Sequence, residues 1–113
     1  MGVEEKRTPP GMSTEFPVPE DGRNFTCFPA SNLVTFQTEL EMHSVAEYYR
    51  REFAGWNFRE RVDLNTERID FIRLVFEHRK DGSMVVVQIM NLKYTLHINL
   101  RYVHIFQEER RIR

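Results

Sequence analysis

From Tyr94 to Tyr102 the chain alternates without a break. Tyr94, Leu96, Ile98, Leu100 and Tyr102 fall in one register, and Thr95, His97, Asn99 and Arg101 in the other. Successive side chains of an extended chain point to opposite faces, so this period of two specifies a strand with one apolar and one polar face. Such a strand needs neighbours, and the residues before it supply them. Phe71 to Arg79 is rich in β-branched and aromatic residues, with Ile72, Leu74 and Phe76 in one register. Met84 to Met90 is the return strand. Between them Lys80-Asp81-Gly82-Ser83 carries the Asp-Gly pair of a type I′ hairpin, whose central positions need positive φ. Asn91-Leu92-Lys93 then turns into a last strand running to His104.

Upstream the pattern changes twice. Val34, Phe36, Thr38 and Leu40 alternate with Leu33, Thr35, Gln37 and Glu39, which predicts another half-buried strand. Ser44 followed by Glu47 forms a capping box, and Val45, Ala46, Tyr49 and Phe53 recur at helical spacing before Gly55. A helix from about Val45 to Ala54, closed by glycine at C′, is expected. Trp56 to Leu64 alternates again, with Glu60 the one polar residue in the apolar register, and Asn65 to Asp70 is polar and turn-forming. The predicted order is β-α-β-β-β-β, an α+β fold with one helix on an antiparallel sheet of four to five strands.

Residues 1 to 23 carry Pro9, Pro10, Pro17 and Pro19 among many charges and read as a flexible tail, with Phe16 and Val18 as possible anchors for an extended docking. Phe25, Phe28 and Pro29 read as a loop against the core. The single domain then spans 24–106, and 107–113 is a charged C-terminal end.

With 113 residues the chain builds one core, and no repeat divides it. Sixteen Lys and Arg against seventeen Asp and Glu give a formal charge of -1, so nucleic acid is not an expected partner. No apolar run is long enough to span a bilayer, and Met1 to Gly11 lacks the apolar block of a secretory signal. The compartment stays open between the cytoplasm and, were a signal or anchor removed, a bacterial envelope.

Motifs that carry chemistry are few. Cys27 has no partner for a disulfide and no nearby histidine to activate it. His43, His78, His97 and His104 have no ligand spacing, so no metal or other cofactor is expected. Glu60 is flanked by Arg59 and Arg61, and a bulge or edge position explains it more simply than catalysis. Asp63 to Glu67 lacks the glycine and terminal glutamate of a calcium loop, and phosphate loops and nucleophile elbows are absent. No catalytic residues are assigned, and the chain is not expected to be an enzyme.

If Ile72, Leu74 and Phe76 face the helix, the opposite sheet face carries Phe71, Arg73, Val75 and Glu77, joined by one register of the next strand and by His97, Asn99 and Arg101. That face is half polar and half apolar, which suits a protein partner or self-association. The junction Tyr48-Tyr49-Arg50-Arg51-Glu52-Phe53-Ala54-Gly55-Trp56, set between strands, resembles a pattern in uncharacterised bacterial domains that are often exported or membrane-tethered. The resemblance covers about Leu33 to Tyr102 and implies no activity or site residue. The expected function is a non-enzymatic interaction module or accessory subunit of a larger bacterial assembly. The alternative is a small-ligand binder or enzyme with a pocket between helix and sheet, lined by Tyr49, Trp56, Tyr94 and Tyr102, which a deep cavity reached by at least two of Arg73, Gln88, His97 and Arg101 would favour.

Overall fold

The computed structural model of the protein describes residues 6–7, 16–93 and 95–103. The greater part of the sequence-defined tail, Tyr94, His104 and the charged end 107–113 lie outside them. One helix, α1 (Met42–Gly55), packs on a seven-stranded antiparallel sheet. A short ribbon of β1 (Lys6–Arg7) and β2 (Pro17–Val18) precedes it. The large sheet contains β3 (Arg23–Phe28), β4 (Leu33–Thr38), β5 (Phe58–Glu60), β6 (Thr66–Arg68), β7 (Phe71–His78), β8 (Met84–Leu92) and β9 (Thr95–Val103). Its order is β3-β4-β9-β8-β7-β5, with β6 also paired to β7.

The helix packs on the side of the sheet that carries the buried apolar register, nearest to β5, β7 and β8. Cross-strand pairing sets Val34, Leu100, Val87 and Leu74 in one rung and Phe36, Ile98, Ile89 and Ile72 in the next. From α1, Val45, Ala46, Tyr49 and Phe53 lie on them, and all are buried. Phe53 is the centre of an aromatic cluster, with ring centroids 5.7 Å from Tyr49, 5.7 Å from Trp56, 5.4 Å from Phe58 and 5.0 Å from Phe76. Thr38 is a buried polar exception in this register. Its hydroxyl donates to Asp21 Oδ1 at 2.6 Å and accepts from the Leu40 amide, so its burial leaves no bond unmade.

Several local expectations are corrected. The tail does not extend to residue 23, because Phe16 and Val18 are 2% and 1% exposed and belong to the core. Two large apolar side chains stabilise docking enough to offset ordering a short proline-bearing segment. At Gly22 this segment comes so close to the core that an added Cβ would lie 3.1 Å from the Phe36 ring. The Phe25 to Phe28 loop is strand β3, and Pro29–Ser31 is a 3-10 turn.

The helix begins at Met42, three positions before the predicted Val45, and Glu41 at its N-cap makes no side-chain capping bond. Glu47 pairs with Arg50 at 2.8 Å instead of closing a capping box on Ser44. Gly55 is the last helical residue, and the left-handed position after it belongs to Asn57 at φ 71°. Asparagine tolerates that region through its short polar side chain, as Asn24 and Asn32 do here. Trp56 to Leu64 is not one strand. After β5 the chain turns through the 3-10 segment Val62–Leu64 and returns as β6 within the stretch expected to be a turn. The Asp-Gly hairpin is wider than type I′. His78 and Ser83 close a four-residue loop in which only Gly82 has positive φ, at 77°.

Candidate functional site

The face of the sheet away from α1 carries the other register of each strand, and pairing arranges it in rows. A polar row runs straight across: Thr66, Arg73, Gln88, Asn99, Thr35 and Thr26 on β6, β7, β8, β9, β4 and β3. On one side of it lie Val75, Val86, Arg101, Leu33 and Phe28. On the other lie Phe71, Met90, His97 and Gln37. Most of these side chains are half-buried by their neighbours alone.

All six residues singled out from the sequence, Phe71, Arg73, Val75, His97, Asn99 and Arg101, stand on this face. They do not form one contiguous set. β8 separates β7 from β9, so Val86, Gln88 and Met90 occupy the centre. The alternation of Val85, Val87 and Ile89 with Met84, Val86, Gln88 and Met90 carries this information, but only the width of the preceding loop fixes which register faces outward. Val75 is the member that is not available at the surface, with 5% exposure. The edge crosses beside it: the Arg61 amide donates to the Val75 carbonyl at 2.7 Å, and the Val75 amide donates to Asn65 Oδ1 at 2.9 Å.

Where that edge turns, a hollow of about 490 Å³ opens on the face. Asp63, Leu64, Asn65 and Thr66 form one wall, Val75, Met84 and Val86 the floor, and Arg73 borders it. The adjoining corner is electrostatically closed. Arg59 and Arg61 both donate to Glu77 Oε1 at 3.1 Å, and Arg61 holds both oxygens of Asp63 at 3.0 and 2.8 Å. The bidentate bond to Asp63, then the bond to Glu77, hold the Arg61 guanidinium above its ordinary pKa, while Arg61 lowers that of Asp63.

Arg73 differs. Its Nε is buried without a hydrogen-bond partner, it has no ion pair among the described residues, and two strands away Asn99 Oδ1 is also buried and unpartnered. Asn99 Nδ2 donates to Gln88 Oε1 at 3.3 Å between them.

The other sequence candidates are distributed elsewhere. Glu60 ends the helix-side rung at the β5 edge, where Arg50 of α1 donates to both of its oxygens at 3.1 Å and Asn65 donates at 2.7 Å. That ion pair explains a carboxylate in an apolar register. His43 is exposed at the start of α1, His78 packs edge-on against Phe58 with ring centroids 4.9 Å apart, and His97 is on the open face. Among the described residues no three His, Cys, Asp or Glu side chains gather into a metal-sized group, and no helix is long and apolar enough to cross a membrane.

Between helix and sheet, Tyr49 is fully buried against Tyr48 and Phe53, and Trp56 packs at the margin of the core. The Tyr49 hydroxyl has no hydrogen-bond partner among the described residues. Burial, followed by the charges of Tyr48 and Glu52, raises its pKa well above the ordinary tyrosine value. A buried unpaired hydroxyl destabilises by about 1–3 kcal/mol, so Tyr49→Phe is expected to raise stability by about 1 kcal/mol. Paired thermal melts check this, since about 1 kcal/mol moves the midpoint by roughly 4–8 °C in a domain of this size. A loss of stability would mean that the hydroxyl is bonded in solution.

No family model matches the chain, and no curated protein or solved structure is significantly similar to it.

Proposed function

We propose that the domain is a non-catalytic interaction module, an accessory part of a larger assembly, that docks a protein partner on the sheet face away from α1. The supporting observation is the make-up of that face. Half-buried Val86, Met90, Phe71 and Leu33 flank a polar row in which Arg73 Nε and Asn99 Oδ1 lack partners among the described residues. A purely solvated face is normally more polar, and groups buried in isolation without partners are unfavourable. Contact with a protein surface removes the apolar rows from water and, where the Arg73 and Asn99 side chains turn outward, supplies the missing bonds.

The test is capture of the native complex from source cells with three baits: the parent chain, Met90→Glu on this face, and Arg51→Glu on the exposed side of α1. The reading expects a partner retained by the parent and Arg51→Glu and lost by Met90→Glu, with all three melting within a few degrees of one another. Binding that is indifferent to Met90→Glu, or a native mass showing no protein partner, overturns it. A small molecule retained in the native mass would favour the ligand-binding alternative.

A further inference from the structure

The hollow beside Arg73 lies on the face proposed for docking and lends that proposal a chemical specificity. Resting on that proposal, we infer that this hollow is the anchor point for a short acidic–apolar segment of a protein partner, an apolar side chain entering between Leu64 and Val86 while the following carboxylate binds Arg73.

Charge selects the occupant. Around the hollow Arg59 and Arg61 are balanced by Glu77 and Asp63, and both Asp63 oxygens are taken by Arg61. Arg73 and Arg101, which flank Val86 and Gln88 from the two neighbouring strands, have no ion pair among the described residues. The balance left on this part of the face is therefore positive. An arginine fork meets a carboxylate with charge-assisted hydrogen bonds in a fixed geometry.

Shape selects the rest. The floor of Val75, Met84 and Val86 and the wall of Leu64 take an apolar side chain, which an inorganic anion lacks. Asn99 Oδ1, buried without a partner, becomes an acceptor two strands from Arg73 once its side chain turns outward. Strands lie about 4.8 Å apart, so about three extended residues bridge that gap and bring a backbone N–H to Asn99. Carboxylate, apolar side chain and backbone N–H occur together in a peptide segment.

Three capped tripeptides test this on the isotope-labelled protein by NMR titration: acetyl-Leu-Asp-Gly-amide, its Asn isostere, and acetyl-Ala-Asp-Gly-amide. The Leu-Asp peptide is expected to bind weakly, shifting the Arg73 Nε–H and the amides of Thr66 and Val86. The Asn isostere is expected to bind about tenfold or more weakly, as loss of a charge-assisted bond implies. The Ala peptide should also be weaker, and the Leu-Asp preference should shrink as salt rises. Arg73→Gln with an unchanged melting midpoint should erase the difference between acid and amide. Should that variant unfold, the three peptides on the parent protein still decide.

Equal binding of Asp and Asn peptides, or shifts centred elsewhere, overturns the inference. So does a dimeric mass with concentration-dependent shifts along β8 and no response to peptide, which would assign the face to a second copy of the chain. If no peptide binds while Met90→Glu still abolishes partner capture, this anchor is wrong and the docking reading stands.

Discussion

Phe53→Ala is expected to destabilise the domain by about 3–5 kcal/mol, the range for truncating a fully buried aromatic ring. Its ring has no exposure and joins α1 to Phe58 on β5 and Phe76 on β7, so no single neighbour moves into the space left behind. Total stabilities of domains lie near 5–15 kcal/mol, and the variant should therefore be partly unfolded at moderate denaturant. Urea titration of parent and variant measures the loss. Arg51→Ala, on the exposed side of the same helix, is the control and should change stability by about 0.5 kcal/mol or less. A Phe53→Ala loss under about 1 kcal/mol would mean that α1 does not pack as described.

The second large effect lies in a segment whose composition argues against structure. Phe16→Ala should also cost about 3–5 kcal/mol, because the ring is 2% exposed within the core. A free tail predicts a change near zero, so one denaturation curve separates the two descriptions. Val18→Ala should weaken the domain in the same direction but less, since it removes fewer buried carbons. If neither substitution alters the midpoint, this segment is undocked in solution and the domain begins after it.

The two segments show what the sequence contains and what it hides. Periodicity depends on several residues repeating one environment, and β9, β7 and the helix residues Val45, Tyr49 and Phe53 provide that. Phe16 and Val18 provide two positions among prolines, which is too few for a period to appear, although their alternation hints at anchoring. The β5 edge differs in kind. Its alternation from Trp56 to Leu64 is real, but Asn65 takes the Val75 amide and Arg61 turns toward Asp63, so side-chain bonds break the strand in the middle. The Arg61–Asp63 bond is local but does not show in an alternation of apolar and polar residues, and the Asn65–Val75 bond joins two different elements and leaves no local trace.

The candidate face was legible as a set of outward positions, and its composition of arginine, histidine and asparagine with apolar residues was visible too. Its centre was not. β8 has apolar residues in both registers, Val85, Val87 and Ile89 against Val86 and Met90, so hydrophobicity alone does not orient it. The four-residue loop and the pairing of Val86 with Val75 and Arg101 do. Val75 departs from expectation for a related reason: alternation gives a direction, while exposure depends on what crosses over that direction.

The broken edge also has a bearing on how copies of this chain behave when crowded. One margin of the sheet is divided between β5 and β6 by a 3-10 turn, and the opposite margin, β3, loses register between Arg23 and Thr26 with Asn24 at φ 59°. Neither margin offers a long, flat run of backbone donors and acceptors onto which another chain could build. Fibre-like growth through strand addition is thereby obstructed at both ends. On the docking face proposed above, recognition would rest on side chains, where a single substitution changes the choice of partner without creating a template for polymerisation.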